Sequence, residues 1–170
     1  MSAPENASPE KMTPERVTLR PVGEADDGFL FAVYTTTREE EMARVPWTPE
    51  QKAAFLRMQF TAQKQHYAAE YPGANHSIIC VDGIQVGRIY VDRTAETFHI
   101  LDITVLPQYR NAGAGACVLR RLLEEAAGAG KPVTIYVESF NRSLSLFHAL
   151  GFQKIADQGF NWLLRWTHHG

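Results

Sequence analysis

Arg110-x-x-Gly113-x-Gly115 is the segment whose residue types and spacing point to chemistry. It follows a β-type run over 97–105 that stops at Val105-x-Pro107, and it precedes Leu119, Leu122, Leu123 and Ala126, which recur at helical spacing. A glycine-rich turn between a strand and a helix leaves the amides of the first helical turn without internal partners, and those amides carry the positive end of the helix dipole. The chemistry they suit is phosphate binding. A Walker loop would need Gly-Lys-Ser/Thr, whereas Ala116 and Cys117 follow Gly115. A dinucleotide fingerprint would need glycine or alanine where Val118 stands, and would open a parallel βαβ unit. Cys117 falls in the first turn of the same helix, where the dipole favours a thiolate. A small packed core thiol is the alternative, for Cys117 as for Cys80 in its apolar strand.

The elements that must position this loop are legible on both sides of it. Residues 17–21 alternate as a short strand, and Phe29, Leu30, Val33 and Tyr34 predict a helix over about 25–41. Thr48-Pro49-Glu50-Gln51 has the form of a capping box with proline at the first helical position, opening a second helix that runs to about Glu70. Asp82-Gly83 joins β-rich runs over 76–81 and 84–92 as a hairpin, and the strand over 97–105 completes a meander. Beyond the loop helix, Gly128-Ala129-Gly130-Lys131-Pro132 breaks the pattern before a buried-type strand over 133–137. Asn141 caps a helix predicted to reach Leu150 and stop at Gly151, and runs over 152–156 and 160–166 form a last hairpin.

Composition bounds the function. The chain has 170 residues, 45% of them hydrophobic, enough for one domain with a sizeable core. Its 17 basic and 19 acidic residues give a net charge of −2 without a basic stripe, so no nucleic-acid footprint is expected. No window approaches the roughly 20 apolar residues of a membrane helix, so no membrane partner is expected. Residues 1–16 read as a polar flexible tail rather than a signal or transit peptide, 17–166 as the domain and 167–170 as a C-terminal end. The cytoplasm is the expected location, where the Asn6-Ala7-Ser8 sequon has no consequence. Two cysteines without metal spacing, and His168 and His169 without further ligands, predict neither a disulfide framework nor a metal site.

The glycine loop after Val-x-Pro resembles the coenzyme-A pyrophosphate loop of the GNAT superfamily of N-acetyltransferases. A second segment, Asn141-Arg142-Ser143-Leu144-Ser145-Leu146-Phe147-His148-Ala149-Leu150-Gly151-Phe152, resembles that family's N-x-x-x-x-L-Y-x-x-L-G-F helix and strand. The element order β-α-α-β-β-β-α-β-α-β-β, over about 17–166, is also that of the family. The resemblance implies an α/β (α+β) domain: a mixed, mostly antiparallel sheet of about seven strands flanked by four helices. It implies acetyl-CoA as co-substrate and direct attack of a small-molecule or peptide amine on the thioester in a ternary complex. It also carries dimerisation, frequent in the family, as an expectation.

The same resemblance assigns residues. Ile103, Thr104 and Val105 would lie along the pantetheine arm and the acetyl carbonyl. Arg110, Asn111, Ala112, Gly113, Ala114, Gly115 and Ala116 would take the pyrophosphate, with Asn141 and Phe147 at the far side of the cofactor. Holding a lysine-like amine neutral at pH 7 costs about 4.6 kcal/mol, so a general base or a desolvating site is expected. Asp102 is one candidate, with a structural carboxylate capping the glycine turn as the other reading. His99, three residues earlier and of opposite strand parity, is a second candidate, or an ordinary strand residue; Glu138 is a third. Phe147 occupies the position where the family often carries a tyrosine as general acid, so either water or another group protonates the leaving sulfur or CoA departs as the thiolate, a modest base. The segment between the first two strands covers the acceptor side in the family, which brings in Tyr34, Glu40 and Trp47 as walls for a cationic amine. A cofactor-binding sensor without turnover, and a partner-binding domain on the same scaffold, stay open as other functions.

Overall fold

The computed structural model describes residues 12–168. Most of the expected N-terminal tail, the Asn6 sequon and His169 lie outside the described residues. Within them, Pro14–Arg16 forms a short 3-10 turn tied to the domain by Arg121, which donates to the carbonyls of Pro14 and Val17 at 2.6 and 2.8 Å.

Seven strands form one sheet: β1 (Val17–Pro21), β2 (Asn75–Val81), β3 (Ile84–Arg93), β4 (Phe98–Val105), β5 (Val133–Glu138), β6 (Gln153–Asp157) and β7 (Asn161–Trp166), in the order β1-β2-β3-β4-β5-β7-β6. Every pairing is antiparallel except β4 with β5. On one face lie α1 (Asp27–Thr36), α2 (Glu39–Ala43) and α3 (Pro49–Glu70), around Leu30, Leu56, Phe60 and Ile78. On the other, α4 (Ala114–Ala129) and α5 (Leu144–Ala149) cover the larger core. Leu119, Leu122, Leu123 and Ala126 of α4 are all buried there, as their spacing predicts. The expected mixed sheet and α+β class hold.

Local chemistry explains the boundaries. Thr48 and Gln51 exchange both capping-box bonds, at 3.0 and 3.2 Å. Asp82 and Gly83 both carry positive φ, 51° and 81°, as the primed hairpin turn demands. The segment over 25–41, expected as one helix, is divided, giving five α-helices rather than four among the described residues. Thr35, Thr36 and Thr37 turn their hydroxyls back onto the carbonyls of Ala32, Val33 and Tyr34, at 2.7–2.8 Å. These local bonds compete with the helical ladder, and the chain bends at Arg38 before α2 begins.

Two features of β4 shape the site. It is held to β5 only through Phe98, His99 and Ile100, opposite Val133, Thr134 and Ile135, so residues 101–105 run on without a partner on that side. On its other side the register to β3 slips: Tyr90 faces Asp102 and Val91 faces Ile100, leaving Leu101 as an extra residue. The bulge reverses the expected parity. His99 and Asp102 lie on the same face of the sheet, the one that packs against α3.

Candidate active site

Where β4 and β5 part, a wedge opens into a cleft of about 980 Å³. Ile103, Thr104 and Val105 form one wall, with a backbone edge that no strand occupies. Gly87 on β3 lets this wall sit close: a Cβ there would overlap the carbonyl oxygen of Thr104. The chain then turns through Asn111 (φ 63°) and Gly113 (φ 94°) into α4, so the loop amides come together at the helix N-terminus. Arg110, Asn111, Gly113, Ala114, Gly115 and Ala116 all line the cleft, whereas Ala112 does not. Arg110 donates from Nε to the carbonyl of Val105 at 3.3 Å; burial, and then the nearby charge of Arg142, hold its pKa below the usual arginine value. The unpaired strand edge, the loop amides and this basic pair fit a pantetheine diphosphate.

Asn141 and Phe147 close the opposite side. Asn141 starts an Asx turn, its Oδ1 accepting from the amide of Ser143 at 2.8 Å, so α5 begins only at Leu144. Phe147 is 2% exposed and packs edge-on against Phe152, with ring centroids 5.3 Å apart.

The α3 face supplies the polar floor. Arg88 of β3 is buried, and its guanidinium donates from Nε to Asp102 at 2.7 Å and from a second nitrogen to Gln63 at 3.0 Å. Thr104 donates its hydroxyl to the same Asp102 carboxylate at 3.0 Å. Asp102 therefore makes its bonds to Arg88 and Thr104, and none to the glycine turn. Tyr67 donates to the carbonyl of Leu101 at 3.3 Å; burial, helped by the charge of Asp102, pushes its pKa up to about 12. Lone polar residues such as Arg88 and Gln63 read as solvent-facing, and only the tertiary structure brings them together with Tyr67.

His99 is outside this cleft. Its Nδ1 lies 2.8 Å from the Thr134 hydroxyl, between the rings of Tyr71 and Tyr136, and burial lowers its pKa. Of the acceptor-side candidates, Tyr34 and Glu40 line the cleft, while Trp47 packs on Phe55 away from it. Tyr34 donates to Gln59 at 3.3 Å, and Glu40 reaches Arg142 across the opening at 3.4 Å. Glu138, at the end of β5, also lines the cleft. Cys80 is buried and Cys117 half-buried; both are free thiols, and neither lines the cleft.

The fold and cleft define an acetyltransferase scaffold, and the comparisons agree. The acetyltransferase (GNAT) domain family matches residues 39–168, and the chain belongs to that family. Among solved structures it is similar to the PaiA N-acetyltransferase of Thermoplasma acidophilum in complex with coenzyme A. That likeness has a TM-score of 0.69 at 16% identity, over 89% of this chain and 99% of that one. Arabidopsis thaliana Naa50, in complex with a bisubstrate analogue, aligns with a TM-score of 0.61 at 15% identity, over 90% and 99% of the two chains. At these identities the likeness is one of fold. A curated relative, mycothiol acetyltransferase of Amycolatopsis mediterranei, is 37% identical over 60 residues. That match spans 34% of this chain and 20% of the relative's length. Among the described residues, no helix is long and apolar enough to cross a membrane.

Proposed function

We propose that this chain transfers the acetyl group of acetyl-CoA directly to a primary amine, with both substrates held in the one cleft and no acyl-enzyme between them. The wedge that runs from the parting of β4 and β5 to the glycine loop carries this reading. The coenzyme A and bisubstrate analogue bound to the two structural neighbours support it. Ile103, Thr104 and Val105 orient the thioester through their open backbone edge, and the loop amides of residues 111 and 113–116, with the Arg110 side chain, bind the diphosphate. Asn141 and Phe147 wall the pantetheine. The amine enters from the α3 face, past Tyr34 and Glu40. Acetyl-CoA supplies the activated acyl group, and the protein supplies position and a route for the amine's proton. Mixing the protein with acetyl-CoA and a panel of primary amines should release free CoA thiol in step with N-acetylated product.

Phe147 favours one other reading, a sensor that binds acetyl-CoA and turns over weakly, because a phenyl ring donates no proton to the departing sulfur. Binding without thiol release across the panel would favour the sensor. Absence of both binding and release would overturn the transferase reading.

A further inference from the structure

We infer that Glu138 is the general base of this cleft. The inference rests on the transferase reading above. Pairing between β4 and β5 ends at Ile100 and Ile135; with Leu101 taken up as the bulged residue, Thr104 stands three strand positions beyond the first and Glu138 three beyond the second. At about 3.3 Å per residue, both lie roughly 10 Å from the apex, at the same depth on opposite walls. Side chains alternate along β5, and Val133, Ile135 and Val137 are buried in the core beneath α4 and α5. Glu138 is therefore directed to the other face, the one that carries Asp102, Thr104 and Tyr67. The thioester on the β4 wall and the amine arriving from the α3 face would meet opposite this carboxylate.

The other acids of the cleft are occupied or distant. Asp102 is bound by Arg88 and Thr104, Glu41 by Arg38 at 3.1 Å, and Glu40 by Arg142. Glu39 is exposed at the start of α2, where its charge acts on Arg110 at the loop end. Tyr67 keeps its proton, and Arg110 sits at the loop end. Glu138 is half-buried, and among the described residues its carboxylate has no hydrogen-bond or ion-pair partner. In the step assigned to it, the Glu138 carboxylate takes one proton from the ammonium form of the acceptor. The freed nitrogen lone pair forms the N–C bond to the acetyl carbon, the C–S bond breaks, and the sulfur leaves with its electron pair. The second nitrogen proton ends on that sulfur, directly or through water, and Glu138 returns its proton to solvent.

The test compares wild type, Glu138→Gln and Asp102→Asn with two acceptors. One is 1,4-diaminobutane, which must be deprotonated; the other is hydroxylamine, which is already uncharged at neutral pH. Acetyl-CoA affinity is read separately by thermal shift. Glu138→Gln should lower kcat/KM for the diamine about a hundredfold or more at pH 7, the deficit shrinking as pH rises. It should leave hydroxylamine transfer and the acetyl-CoA shift near wild type. An unchanged pH profile, an equal loss with both acceptors, or the selective pattern appearing in Asp102→Asn instead would overturn the assignment. So would a wild type that uses hydroxylamine but not the diamine. A wild type that acetylates neither overturns the transferase reading itself, a failure visible before any variant is compared.

Discussion

A buried arginine, 4% exposed, needs its counterion, and Asp102 serves Arg88 in that role. Removing one partner of a buried pair leaves the other charge uncompensated, which typically costs 3–5 kcal/mol. Because the Asp102 side chain is 27% exposed, Asp102→Ala should fall at the lower end, about 3 kcal/mol. For a domain of this size that is a Tm drop of roughly 6–12 °C, measured by calorimetry. Gly87→Ala should lower stability by about 1–3 kcal/mol through overpacking against Thr104. It should also weaken acetyl-CoA binding, because the displaced residues are the proposed thioester wall. Phe147→Tyr places a phenol at the cleft wall, and if proton delivery to sulfur limits turnover, kcat should rise about tenfold or more. An unchanged kcat with intact acetyl-CoA binding would show that protonation is not limiting. The placement of the β4 and loop candidates beside one another was legible because strand, glycine turn and helix follow in order along one segment. Arg88, Gln63 and Tyr67 were not, because their meeting depends on β3, α3 and β4 packing together.

Strand pairing decides which face each candidate serves. The run Ile100-Leu101-Asp102-Ile103 looks like ordinary strand in sequence, and nothing local marks Leu101 as the bulged residue. The slip is set by the fit of β4 to β3, which is why the parity of His99 and Asp102 could not be read from their spacing. The same α3 face holds another titratable group. His76 stacks on Tyr90 with centroids 4.2 Å apart, its Nε2 is buried without a hydrogen-bond partner among the described residues, and burial lowers its pKa to about 4. An unfolded histidine takes up its proton near pH 6.5, before the folded one does, so the stabilisation is present above pH 6.5 and is lost as pH falls toward 4. His76→Phe keeps a ring against Tyr90 and removes the titration. Its Tm should fall less steeply than that of wild type between pH 6.5 and 4. His99, shifted the same way, should leave a residual slope.

At the scale of the whole molecule, one sheet divides two cores, and the site lies where its single parallel pairing comes apart. That arrangement was largely legible: the order of elements, the loop helix and its buried face followed from periodicity and turn residues. The division between α1 and α2 did not, since the threonine run reads equally well as helix until its hydroxyls are seen to bond back to the chain. The central claim is that the wedge and its glycine loop bind acetyl-CoA, and thermal unfolding with and without the ligand tests it most directly. The control is the double variant Arg110→Glu, Gly113→Val, which reverses the loop's charge and forces a branched side chain onto a left-handed residue. At about 100 times Kd, binding should add roughly 2.7 kcal/mol, a Tm increase on the order of 5–10 °C. The account predicts that increase in wild type and its loss in the double variant. A wild-type Tm that does not move at saturating acetyl-CoA would contradict it.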